Sequence, residues 1–169
     1  MKRALMVAAP DKYRDEELAI PMQVLESKGI EVTLVSTKAG VIKGMLGATS
    51  QAGDIADSAG AVFDAVVVVG GAGAPAALWE NKTLRQILRT HHSAGKVVAA
   101  ICLAGAALAQ AGILSGVEAT VFKTEASMKV YKECGAIYRE KPVVTCGNVI
   151  TANGPAAARE FALAVAAAI

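Results

Sequence analysis

Histidine is almost missing from this chain, which carries only the adjacent His91 and His92, and its three cysteines, Cys102, Cys134 and Cys146, show no CxxC spacing. No zinc pattern can be assembled from such a set. A surplus of charge is missing too. The 17 basic and 15 acidic residues leave +2, scattered along the chain, so neither a nucleic-acid nor a membrane-surface footprint is present. Neither GxGxxG nor GxxxxGK(S/T) occurs, which leaves nucleotide binding with weak support. There is no internal repeat, no charge block and no Pro/Gly/Ser-rich linker. A chain of 169 residues is long enough for one domain with a sizeable core that needs neither disulfides nor metal. The apolar stretch Ala4–Ala9 ends at Pro10-Asp11, too short for a signal-peptide core; with the odd cysteine count this predicts a reducing cytoplasm. One uncharged stretch, Val97–Val117, is long enough to cross a bilayer as a helix. Its many alanines, its Gly105, Gln110, Gly112, Ser115 and Gly116, and its change of character at Cys102 reject a membrane span.

Short apolar runs instead alternate with longer helical patterns, the signature of an α/β three-layer sandwich whose mostly parallel sheet is covered by helices on both faces. Ala4–Ala9, Val32–Ser36, Ala65–Val69 and Val97–Ile101 read as strands, and the four valines Val66–Val69 suit a strand buried on both sides. Asp15–Gly29 places Leu18, Met22 and Leu25 on one helical face, and Asn81–Ser93 opens on a plausible cap at Asn81. Val41–Gly60, punctuated by Gly44, Gly47, Gly53 and Gly60, reads as a small hairpin beside the main sheet. The last third predicts a strand near Glu118–Val121, a helix near Glu125–Tyr131, strands at Val143–Cys146 and Val149–Ala152, and a final helix over Ala156–Ile169.

In open parallel sheets ligands bind at the carboxyl ends of strands, so residues just after each predicted strand are the candidates. Cys102, followed at once by Leu103-Ala104-Gly105-Ala106-Ala107, looks like a nucleophile elbow. Helical N–H groups behind it predict a lowered thiol pKa. Glu17 stands four residues before Pro21, which cannot return a helical hydrogen bond to the Glu17 carbonyl, so the helix is expected to bend near this carboxylate. Asp15 and Glu16 read as solvated partners of the helix dipole. Gly70-Gly71 permits close backbone approach, and N–H groups at Gly71 and Leu103 could face a developing oxyanion; a tight turn leading into Pro75 is compatible with that use.

These pieces, in order, resemble the ThiJ/PfpI family over essentially the whole chain: Glu17-Leu18-Ala19-Ile20-Pro21, Val66–Gly71, Ala99-Ala100-Ile101-Cys102, and Ile150–Pro155 ahead of Glu160–Ala164. The resemblance, closest to the deglycase members, implies a flavodoxin-like, class I glutamine amidotransferase-like single domain. It implies Cys102 as the nucleophile, Glu17 as the acid whose proton sits against the sulfur, and Gly71 and Leu103 as oxyanion donors. It further implies a homodimer or higher homo-oligomer and a small carbonyl substrate, with no cofactor or metal.

The departures are specific. Protease-like members place histidine directly after the cysteine, where this chain has Leu103, and the deglycases bring a histidine from the strand that here offers Val121 and Phe122. Their additional C-terminal helix is not matched, which implies a more open site or an altered dimer contact. His91 and His92 are expected to cap their helix or sit in solvent, and Cys134 and Cys146 to serve packing. The leading expectation is a glutathione-independent glyoxalase or deglycase acting on 2-oxoaldehydes such as methylglyoxal. The second is a redox sensor or stress-linked chaperone using Cys102 oxidation, and a PfpI-type protease ranks last.

Overall fold

The computed structural model describes residues 1–169. Eleven strands and six α-helices follow one another in the alternation the apolar runs predict. The strands are β1 (Arg3–Val7), β2 (Asp11–Tyr13), β3 (Glu31–Ser36), β4 (Gly40–Gly44), β5 (Thr49–Asp54), β6 (Ala65–Val68), β7 (Val97–Ile101), β8 (Glu118–Ala119), β9 (Ile137–Tyr138), β10 (Val143–Cys146) and β11 (Val149–Ala152). The helices are α1 (Asp15–Ser27), α2 (Ala74–Ala77), α3 (Lys82–Ser93), α4 (Gly105–Gln110), α5 (Glu125–Glu133) and α6 (Ala158–Ala168).

Nine strands form one sheet in the order β10-β11-β7-β6-β1-β3-β5-β4-β2. From β11 through β5 every neighbouring pair is parallel, and the antiparallel pairs are β10 with β11 and β4 with β5. Strand alternation divides the core. Leu5, Val7, Val66, Val68, Val98 and Ala100 face the layer that includes α3, α4 and α5. Ala4, Met6, Val67, Ala99 and Ile101 face the layer built from α1 and α6. Both faces of the central strands are therefore dry, which is why their sequences are continuous apolar runs. From β1 the chain moves through α1 to β3 on one side, then returns to β6 on the other. The crevice between β1 and β6 is thus the point where strand order reverses, the place where open α/β sheets bind ligands.

Three details differ from expectation. The hairpin of β4 and β5 is not beside the main sheet but part of it, through Val35↔Gly53 and Ser36↔Asp54. The segment after β1 contains a further strand, β2, which pairs with β4. The strand expected over Glu118–Val121 stops at Ala119 and pairs with β9 in a separate two-stranded sheet, because the following chain turns aside to place Phe122 N–H on the Cys102 carbonyl at 3.2 Å. As its change of character at Cys102 predicts, the uncharged Val97–Val117 stretch is divided between β7, a 3₁₀ turn and α4, and no helix is long and apolar enough to cross a membrane.

Candidate active site

Three strand ends converge on Cys102. At the end of β7 the chain turns so sharply that Cys102 takes φ 61°, a left-handed conformation that costs a non-glycine residue about 1–2 kcal/mol. Both carbonyls of the turn are engaged away from the site: Cys102 O accepts from Phe122 N–H, and Leu103 O accepts from Trp79 Nε1 at 2.7 Å. The Leu103 N–H is left facing the Cys102 sulfur, joined by the N–H of Gly71 from the loop after β6.

Glu17 reaches the sulfur from the first turn of α1 and is fully buried. Its Oε2 accepts from Gly70 N–H at 3.1 Å, Oε1 is buried without a hydrogen-bond partner, and the carboxyl lies close enough to Cys102 for each group to shift the other's titration. Sequence reading missed the part played by Gly70. A Cβ there would sit 2.5 Å from both Glu17 Oε2 and the Ile101 carbonyl, and 2.7 Å from Cys102 Cβ, so only glycine lets the ends of β6 and β7 close on the start of α1. Gly71 is held at φ 120° against the backbone of Lys12 and Arg14. The adjacent glycines were the available signal.

The expected lowering of the cysteine pKa is reversed. Burial pushes the Cys102 thiol up to about 12, the negative charge of Glu17 adds to the rise, and the Leu103 and Gly71 N–H groups oppose it. The physical reason is exposure: Cys102 is only 6% exposed, and α4 begins at Gly105 and lasts six residues, too short a helix to outweigh desolvation. Burial likewise raises Glu17 from 4.5 to about 7, against the pull of Cys102 and the Gly70 N–H. Two buried acids in contact titrate as a unit, so between these values the pair carries one charge and one proton.

Above the sulfur lies a cavity of about 250 Å³. Glu17, Cys102, Gly71 and Leu103 meet there, and Met45, Phe122 and Pro155 supply apolar walls with Arg14 beside them. The acids preceding Glu17 are not simply solvated. Asp15 accepts from Leu46 N–H at 3.0 Å and Ala48 N–H at 2.9 Å, and Glu16 pairs with Arg14. Neither histidine lies here. His92 is half-buried and His91, rather than sitting in solvent, is 3% exposed, its Nε2 accepting from Phe63 N–H while Nδ1 meets the Ile87 carbonyl. Cys134 and Cys146 are free and half-buried, away from this cavity.

The DJ-1/PfpI family model matches residues 2–168. The chain is 37% identical over 172 residues to protein dj-1beta of Drosophila melanogaster, spanning 98% of this chain and 88% of that one. It is 31% identical over 153 residues to a deglycase of Pyrococcus abyssi, spanning 89% and 90%. It is 28% identical over 166 residues to a glutathione-independent glyoxalase of Caenorhabditis elegans, spanning 97% and 87%. A crystal structure of a ThiJ/PfpI domain protein from Brachyspira murdochii matches with a TM-score of 0.92 at 29% identity, covering 98% of this chain and 95% of that one. The match from end to end, together with a doubly wound sheet that carries a cysteine elbow, places this chain in the DJ-1/PfpI family.

Proposed function

We propose that the protein is a glutathione-independent glyoxalase or deglycase acting on small 2-oxoaldehydes such as methylglyoxal, in the reducing cytoplasm where its free thiols persist. The observation that carries this reading is the buried Glu17–Cys102 pair, with the N–H groups of Gly71 and Leu103 turned to the same sulfur beneath a small apolar cavity. The names of the Pyrococcus and Caenorhabditis relatives support it.

A carboxylate with a pKa of about 7 is matched to accept a proton near neutral pH. As Sγ adds to the aldehyde carbon, the thiol proton passes to Glu17 and the carbonyl oxygen becomes an oxyanion facing Gly71 and Leu103. Glu17 returns that proton to the oxyanion, completing the hemithioacetal. It then removes the hydrogen of the former aldehyde carbon as a proton and delivers it to the neighbouring carbon through an enediolate, while the hydroxyl proton passes to the oxygen on that neighbouring carbon. The product is a 2-hydroxy thioester. Water cleaves it, releasing the 2-hydroxy acid and regenerating the thiol. One carbon is oxidised and its neighbour reduced, so this sequence needs no external electron acceptor and no cofactor.

Purified protein should convert methylglyoxal to lactate without glutathione, at a rate that rises with pH through about 7 as the pair loses its first proton. Cys102→Ser and Glu17→Gln should each lower kcat/KM by roughly 100-fold or more. Turnover by Cys102→Ser equal to that of the wild type would sink the mechanism. The donors around Sγ also suit the oxygens of a sulfinate, which favours a redox sensor or stress-linked chaperone as the second reading. Failure to consume methylglyoxal, combined with uptake of two oxygen atoms at Cys102 under dilute peroxide, would decide for it. Proteolysis has no comparable support, since Leu103 occupies the position of the protease-like histidine and His91 is bonded within the core.

A further inference from the structure

The wall of the cavity over Cys102 is almost entirely apolar. Met45, Leu103, Phe122 and Pro155 form most of it, and Arg14 adds its carbon stem while its guanidinium pairs with Glu16 outside, Nε 2.7 Å from Oε2. Polar groups meet a bound molecule at the floor, where Glu17, Cys102 and the N–H groups of Gly71 and Leu103 lie.

The wall is held in place as well as apolar. Phe122 N–H donates to the Cys102 carbonyl at 3.2 Å, and the Phe122 carbonyl accepts from Ser127 Oγ at 2.7 Å. Ser127 is fully buried and closes a capping box with Thr124 at the start of α5. Two residues before Phe122, the Thr120 carbonyl accepts from the buried Tyr131 hydroxyl at 2.6 Å. The phenyl ring is thus carried on a segment fastened to the elbow on one side and to α5 on the other. Met45 Sδ accepts from Ala72 N–H at 3.4 Å, which holds the thioether at the same cavity.

A volume of about 250 Å³ has room for about eight waters at ~30 Å³ each. Methylglyoxal, whose substituent is a single methyl group, fills only part of it. Water left along the wall finds no hydrogen-bond partner there, so its displacement by hydrocarbon is favourable.

We infer that Phe122 and Met45 determine specificity by size and hydrophobicity, so that the preferred substrates are 2-oxoaldehydes carrying a branched alkyl or aromatic group beyond the ketone carbon rather than methylglyoxal. The aldehyde chemistry rests on the function proposed above; the preference for an apolar substituent rests on the cavity alone.

Two measurements test this. The first compares kcat/KM for methylglyoxal and isobutylglyoxal, which share one dicarbonyl group and differ only in the hydrocarbon attached. Each buried methylene is worth about 4-fold, so the isobutyl compound should lead by roughly 10-fold or more. Phe122→Asn, which sets an amide into the wall, should cut that lead at least about 3-fold, and Phe122→Leu, which keeps the wall apolar, should retain most of it. The second follows alkylation of Cys102 by peptide mapping with iodoacetamide and its N-butyl derivative. The butyl-to-parent rate ratio should be higher in the folded protein than in the urea-unfolded chain, again by roughly 10-fold. Methylglyoxal used as well as isobutylglyoxal would overturn the inference, as would a lead unchanged in Phe122→Asn or lost equally in Phe122→Leu. A protein that consumes neither aldehyde yet favours the butyl reagent would remove the catalytic reading and leave the apolar site standing; equal folded and unfolded ratios would remove the site.

Discussion

The carboxyl of Glu17 does two opposed things. It supplies a base next to the nucleophile, and it strains the fold when ionised, because burial raises it from 4.5 to about 7. A carboxyl raised in the folded state contributes stability that is fully present below the unfolded value and is lost as pH rises through the folded one. Glu17 should therefore weaken the fold between about pH 4.5 and 7. At about 1.4 kcal/mol per unit the loss is roughly 3.5 kcal/mol at most. The neutral isostere Glu17→Gln escapes this. Its thermal midpoint should match the wild type near pH 4.5 and exceed it by several degrees at pH 8. A wild type that is equally or more stable than Glu17→Gln at pH 8 would contradict the raised carboxyl. Glu17 was legible in the sequence from its place ahead of Pro21, but its protonation was not, because burial is a property of the assembled fold.

At the scale of elements, one wall of the cavity comes from a hairpin that the sequence set apart from the main sheet. Asp15, at the start of α1, accepts from the N–H groups of Leu46 and Ala48, and Met45 N–H donates to the Tyr13 carbonyl at 2.8 Å. These bonds hold the β4–β5 turn over the site, where Met45 Sδ accepts from Ala72 N–H at 3.4 Å. Burial alone would raise the Asp15 carboxyl, but the two turn N–H groups outweigh it and hold the group below its usual value. Asp15→Ala removes both acceptors. Amide hydrogen exchange at Leu46 and Ala48 should then quicken by about 10-fold, the equivalent of about 1.4 kcal/mol for two partly exposed charge-assisted bonds. Protection unchanged from wild type would mean that the sheet alone fixes the turn. Short β2 escaped sequence reading for a related reason. It spans three residues with Lys12 at φ 58°, and so small a segment carries no periodic pattern; its pairing with β4 creates it.

For the whole molecule, the doubly wound topology gathers the ends of β1, β6 and β7 at one crevice, and the hairpin and the Phe122 segment wall it. Around that mouth the surface stays apolar, with Met45 42%, Leu46 64% and Phe122 45% exposed. Such a cluster beside a site favours coverage by another chain, and we propose that this chain is a second copy, as the family resemblance implies. Sedimentation equilibrium should give a mass of two or more chains, and Leu46→Glu should shift the equilibrium toward the single chain by at least about 10-fold, since it sets a charge into an apolar contact. A wild-type mass of one chain at high micromolar concentration would refute the assembly.

By itself the sequence determined the layered α/β fold, the central position of the Val66–Val69 strand and the elbow at Cys102, whereas the nearness of Glu17 and Gly71 to it was implied only by the family resemblance. The former features follow from apolar period and from residues within a turn of one another, which any chain with this pattern carries into its fold. Tertiary structure alone decided that Gly70 N–H, 53 residues from Glu17 in the chain, holds its carboxylate and that Asp15 fastens a hairpin. It also decided the direction of the cysteine pKa. A helix start behind Cys102 argued for a low value, but desolvation depends on every layer packed over the sulfur, and those layers come from all parts of the chain.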